Sequence, residues 1–247
     1  LNTRWLTASL AAALSGIVGL TALPALAGDI AAVRPIGFSG DGSVFAFEEY
    51  GVQTGANTPY SNIYAIDLNN NTFLPDTPVR LRGDDDKASM AAIRKQTMDQ
   101  VAKIVQDRGL LDHPGEIVAF NPLSEVGTDP HALSYRVHAS QPTVGEPNTL
   151  TLEELDEGAP AACKDQVQTI KGFRLKMTQI NGAKQDKVVY EDGHVPASRR
   201  CPTGYRLGGV VTYQIPGGAV VQIALVLVMN PSSEGSDGRW LAVPIKP

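Results

Sequence analysis

The residues of this chain that could do chemistry are concentrated in Glu48-Glu49-Tyr50, with Tyr60 and Asp67 further along. Paired carboxylates can act as general acid and base, as they do in glycoside hydrolysis. Adjacent residues on a strand point to opposite faces, however, so one site would hold only one of the two glutamates. Asp67 is expected to approach them from a neighbouring strand. The plainer reading of the pair is a solvated strand end with one buried salt bridge. Together Glu48, Glu49, Tyr50, Tyr60 and Asp67 make a candidate binding patch of exposed acids and aromatics. No catalytic residue is assigned.

Other chemistries leave no trace in the sequence. There is no nucleophile elbow, no Ser-x-x-Lys, no phosphate loop, no dinucleotide fingerprint and no His-Glu-x-x-His. The four histidines (His113, His131, His138 and His194) are scattered, and none stands at a metal spacing from another His or from Cys. Asp41 and Ser39 offer oxygens within one turn, but the full spacing of a calcium loop is missing. No metal and no cofactor are expected.

The elements that must position the acidic pair are two strands and a tight turn. Ser39-Gly40-Asp41-Gly42 supplies two glycines and an Asp that can bond the backbone. Its β-branched and aromatic flanks make it a hairpin. Val44 and Ala46 should face one way, Phe45 and Phe47 the other, with both sides partly covered. Residues 62–68 read as a third strand, Asn69-Asn70-Asn71 as a turn, and Thr72-Phe73-Leu74 as a short fourth strand. Val79-Arg80-Leu81-Arg82 alternates apolar with basic, as an edge strand does.

The pattern then changes. Asp84-Asp85-Asp86 offers N-cap carboxylates for a helix over 87–108. Met90, Ile93, Met98, Val101, Ile104 and Val105 form its apolar stripe, and Gly109 is a C′ residue. Strands follow at 116–120, 132–139, 149–152, 172–180, 187–190, 205–215, 219–229 and 240–243. The 219–229 run is nearly all apolar, so it should be central and covered on both faces. The acidic cluster at 153–157 reads as a solvated face or a helix start.

Composition bounds the setting. The net charge of −5 comes with no basic stripe, which argues against nucleic acid. Residues 1–27 read as a secretory signal. Arg4 is the leading charge, an uncharged apolar run follows, Pro24 breaks it, and Ala25-Leu26-Ala27 is a small-x-small cleavage site before Gly28. The run is nearly long enough to be a membrane anchor instead. After cleavage no integral membrane span is expected, and the protein should be periplasmic or secreted. The two cysteines, Cys163 and Cys201, read as one disulfide in an exported chain.

Two resemblances bear on this reading. Phe38-Ser39-Gly40-Asp41-Gly42 with Phe45-Ala46-Phe47, followed by Asn62-Ile63-Tyr64-Ala65-Ile66-Asp67-Leu68, resembles one blade of a TolB-type β-propeller. A propeller needs several such repeats, and no second copy follows Leu74. Taken whole, the chain is similar to a bacterial family of predicted secreted proteins of unknown function. That likeness lies in residues 37–51, in Tyr60-Ser61-Asn62-Ile63-Tyr64, and in residues 234–243. It implies export and supplies no activity, ligand or catalytic residue.

The expected architecture is mainly β: an antiparallel sandwich or barrel-like sheets with one amphipathic α-helix after the signal peptide. Residues 28–82 form a blade-like meander, 83–109 the helix, and 110–247 a β-rich part packed with the meander as one domain. The expected function is non-enzymatic binding of an envelope protein or polysaccharide. The rival is a hydrolase of an envelope glycan using Glu48 or Glu49.

Overall fold

A computed structural model describes residues 28–85, 87–233 and 235–246. The expected signal peptide, the third aspartate of the acidic cluster (Asp86) and Glu234 lie outside the described residues. The described chain forms three antiparallel sheets and one α-helix, stacked in four layers.

The front sheet holds β1 (Ala32–Phe38), β2 (Val44–Gln53), β3 (Thr58–Asp67) and β4 (Thr72–Phe73) in that order, and β5 (Val79–Arg82) pairs with the other half of β3. One face of this sheet carries α1 (Met90–Asp107). Ile93, Thr97, Val101 and Val105, at helical spacing, form the helix's buried side. Val101 and Val105 pack on Ile36, Val44, Ala46, Ile63 and Ala65. The other face of the front sheet, with Phe38, Phe45, Phe47 and Ile66, packs on the middle sheet. Val44 and Ala46 therefore do lie on the face opposite Phe45 and Phe47.

Later strands build the other two sheets. The middle sheet joins β6 (Glu116–Phe120), β11 (Gly204–Gln214), β12 (Val220–Ser232) and β13 (Gly235–Ile245), in the order β13-β12-β11-β6. The back sheet joins β7 (Ala132–Tyr135), β8 (Asn148–Gly158), β9 (Thr169–Ile180) and β10 (Ala183–Glu191), in the order β10-β9-β8-β7. The apolar β12 is central. Its Ile223, Leu225 and Leu227 enter the core shared with the front sheet, while Ala224, Val226 and Val228 enter the core shared with the back sheet. This is why its sequence is apolar without alternation.

The antiparallel, mainly β expectation holds, and of its two forms the stacked one is realised rather than a closed barrel. Several boundaries differ. The helix starts later than the aspartate cluster: Ser89 is its N-cap residue, and Asp85 accepts a bond from the Lys87 amide in the preceding turn. The cluster at 153–157 is not a helix start but the second half of β8, a partly solvated strand on which Glu153 and Asp156 face Arg174 and Lys171 of β9. Such opposite-charge rungs let an acidic run stay extended. Gly109, at φ 60°, does take the left-handed conformation expected after the helix. Cys163 and Cys201 form a disulfide, which with Ala159 and Ile170 makes a small separate core beside the back sheet.

Candidate functional site

β2 lies between β1 and β3, and its register sets Glu48 opposite Arg34 on one side and Ile63 on the other. The two glutamates do project to opposite faces, but neither is at a solvated end. Each is 1% exposed. Glu48 points toward the helix layer. Its Oε1 accepts from Ser61 Oγ at 2.9 Å and from Arg94 Nε at 2.8 Å, and its Oε2 accepts from Arg94 Nη2 at 2.7 Å. The Arg94 fork is bidentate, the geometry in which guanidinium and carboxylate pair most strongly. Arg34 adds a looser contact, Nε to Oε2 at 3.2 Å, from a half-exposed position. Burial pushes the Glu48 carboxyl up, but the Arg94 bonds, the Ser61 hydroxyl and the two positive charges outweigh it and hold the group below its ordinary 4.5.

Tyr50 completes this cluster: the Arg94 guanidinium sits 3.7 Å from the centre of its ring. Glu49 faces the middle sheet. Its Oε1 accepts from Tyr64 OH at 2.7 Å and Asn62 Nδ2 at 2.9 Å, and its Oε2 accepts from the Trp240 backbone N–H at 2.8 Å. It thus fastens the front sheet to β13.

Tyr60 is also buried, which pushes its phenol well above the usual range. Its hydroxyl donates to Asp29 Oδ1 at 2.9 Å, and Asp29 Oδ2 accepts from Arg239 Nη2 at 2.5 Å. Residues 29–31 run beside β13 through a parallel bridge, Ile30 to Gly238, and the Trp240 indole N–H donates to the Ala31 carbonyl at 2.6 Å. Gly28 fits this contact because a Cβ there would meet the Ser236 carbonyl oxygen at 2.0 Å.

Asp67 is not part of this group. It pairs in register with Val44 and bonds the amides of Asn69 and Asn70 in its own turn. The expected patch of exposed acids and aromatics is therefore corrected on two counts. Glu48, Glu49 and Tyr60 are interior, and Asp67 lies elsewhere, in its own turn. Tyr50 and Asp67 are each half-exposed. Sequence reasoning missed Asp29, Arg94 and Arg239, the partners that complete the clusters. Arg94 had a local signal, since it adjoins the buried helix stripe at Ile93. Asp29 and Arg239 had none, being separated by most of the chain.

Asp41 is another turn group. Hydrogen bonds from the Ser39 hydroxyl and from the Ser43 amide and hydroxyl hold its carboxyl at about 2. Among the described residues no three His, Cys, Asp or Glu side chains stand close enough to hold a metal ion.

These features define a layered β protein, its three sheets antiparallel, whose internal charges join its layers rather than open onto a cleft. The chain belongs to the family described as predicted secreted protein (DUF2259), whose sequence profile matches residues 46–246. No curated protein and no solved structure matches the chain. The comparisons thus lend nothing to the propeller-blade likeness, and the stretch that suggested it is one layer of a stack. Among the described residues no helix is long and apolar enough to cross a membrane.

Proposed function

We propose that this is an exported, non-enzymatic binding protein of the cell envelope that holds a protein or a polysaccharide. In this reading the signal peptide is removed before Gly28 and the mature chain works in the periplasm or outside the cell. The observation that carries it is the state of the acidic pair. A general acid or base needs a carboxyl tuned near the working pH and open to substrate. Glu48 is held low and closed in, and Glu49 has both oxygens engaged by neighbouring layers. Tyr50 and Arg34, the partly exposed members of the cluster, are what a ligand could reach there.

Two measurements test the proposal. N-terminal sequencing of the exported form should begin at Gly28. Purified protein should cosediment with insoluble envelope polysaccharide, or cross-link to one envelope protein, without releasing soluble sugar. Release of soluble fragments that disappears in Glu48→Gln or Glu49→Gln would replace this reading with the hydrolase.

A further inference from the structure

A cavity of about 260 Å³ opens where the link from α1 into β6, the link between β7 and β8 and the end of β11 meet, and no residue of the glutamate cluster lines it. Asp112 and His113 come from the link between α1 and β6, Glu116 is the first residue of β6, His138 comes from the link between β7 and β8, and Tyr213 and Gln214 from the end of β11. One wall is rigid. The Tyr213 ring stacks on Phe38 with centroids 5.3 Å apart, and His113 lies against the same tyrosine, also at 5.3 Å.

The hydrogen bonding of the lining is lopsided. Its neutral donors are turned into the protein: Thr212 Oγ1 donates to the Val137 carbonyl at 2.9 Å, Tyr213 OH to the Gly40 carbonyl at 3.3 Å, and Gln214 Nε2 to the Ile215 and Gly218 carbonyls. The acceptors are left over. Glu116 uses Oε2 for the Ala139 amide at 3.1 Å and keeps Oε1 free. The Asp112 carboxylate, Gln214 Oε1 and the His138 ring have no hydrogen-bond partner among the described residues. No Lys or Arg lines the space. A cavity with two carboxylates, spare acceptors and an aromatic wall suits a ligand that donates hydrogen bonds and carries positive charge. A metal ion fits poorly, because among the described residues no three His, Cys, Asp or Glu side chains stand close enough to hold one.

We propose that this cavity binds a small organic cation through a protonated primary amine, with Asp112 and Glu116 taking the ammonium and Tyr213 and His113 packing against the ligand body. This site does not depend on the envelope-binding reading, since it lies elsewhere and would take a free small molecule.

The test is a titration of the full mature chain, followed by the imidazole NMR signals of His113 and His138. Glucosamine and 1,4-diaminobutane are the probes, and glucose and N-acetylglucosamine are their uncharged controls. At least one amine should move both imidazole signals saturably while the controls do not. The Asp112→Asn/Glu116→Gln double variant, changed only at exposed positions, should keep its melting temperature and weaken amine binding by at least about tenfold. Absence of a saturable shift with either amine overturns the proposal. So does equal binding of the uncharged sugars, or amine binding that the double variant leaves intact.

Discussion

Glu48 and Glu49 are chemically identical neighbours, yet each fastens a different pair of layers. Glu48 joins the front sheet to the helix through Arg94, and Glu49 joins it to β13 through the Trp240 amide. Removing one partner of a buried pair costs more than the pair itself contributes, because a desolvated group is left behind. Glu48→Gln should therefore lower stability by about 2 kcal/mol, at the modest end because Arg94 keeps some contact with water. The pH dependence follows from the depressed carboxyl. Its contribution is fully present above the unfolded value near 4.5 and is lost as pH falls through the lower folded value. Urea midpoints measured from neutral pH down to 3 should fall more steeply in the wild type than in Glu48→Gln, the two curves converging at the acid end. Parallel curves would mean that Glu48 is not held low. Arg94→Ala takes away the main opposing influence and leaves burial, so the Glu48 carboxyl signal in a ¹³C titration should move above its wild-type midpoint. At this scale the sequence showed that the pair must split across a strand, because side-chain alternation is a local rule. It could not show what each carboxylate would meet, because Arg94 and Trp240 arrive from other layers.

Among the elements, β1 is closely fitted to its surroundings at Gly37. Its pairing with β2 slips between Pro35 and Gly37, and Gly37 has φ 152° with the Leu110 carbonyl oxygen 1.8 Å from where a Cβ would stand. A side chain would collide with backbone, which cannot swing aside. Gly37→Ala should cost about 3 kcal/mol or more, read as a drop in the urea midpoint with an unchanged slope. The residues before β1 are held as firmly. Asp29→Ala removes the acceptor of both Tyr60 and Arg239, so amide exchange at Ile30 and Ala31 should speed up while that of β12 stays slow. The element boundaries read best from sequence were those set by local chemistry, such as the turn at 39–42 and Gly109. Those read worst were strands lengthened by pairing. β8 runs on through Glu153 and Asp156 because β9 supplies the opposing cations, and that support is invisible in either segment alone.

The whole molecule is joined by β12, whose two faces belong to two different cores. Neither sandwich can open without exposing one side of that strand, so calorimetry should show a single unfolding transition; two resolved transitions would contradict the shared core. The disulfide closes a separation of 38 residues, and on the chain-entropy model its loss costs about 4 kcal/mol. Alkylation without reductant should add no mass, and a Cys163→Ser/Cys201→Ser protein should melt roughly 8–16 °C lower. The apolar run of β12 and the even cysteine count made the central strand and the bridge legible. The stacking order of three sheets was not, since layer order depends on contacts between distant segments. The acceptor-lined cavity escaped for the same reason, being assembled from three separate stretches of the chain.

The middle sheet has one more consequence, which concerns time rather than geometry. Three of its four strands are the last in the chain, spanning residues 204–245, whereas both layers that rest on it come earlier. A polypeptide emerging amino end first from a ribosome or a translocation channel would present Phe45, Phe47, Phe173 and Leu175 long before the surfaces they must cover exist. Such a chain stays pliable until its tail is delivered and then closes on itself from the centre outward. That order of events would suit the proposed export, in which the chain passes through a narrow opening as a thread.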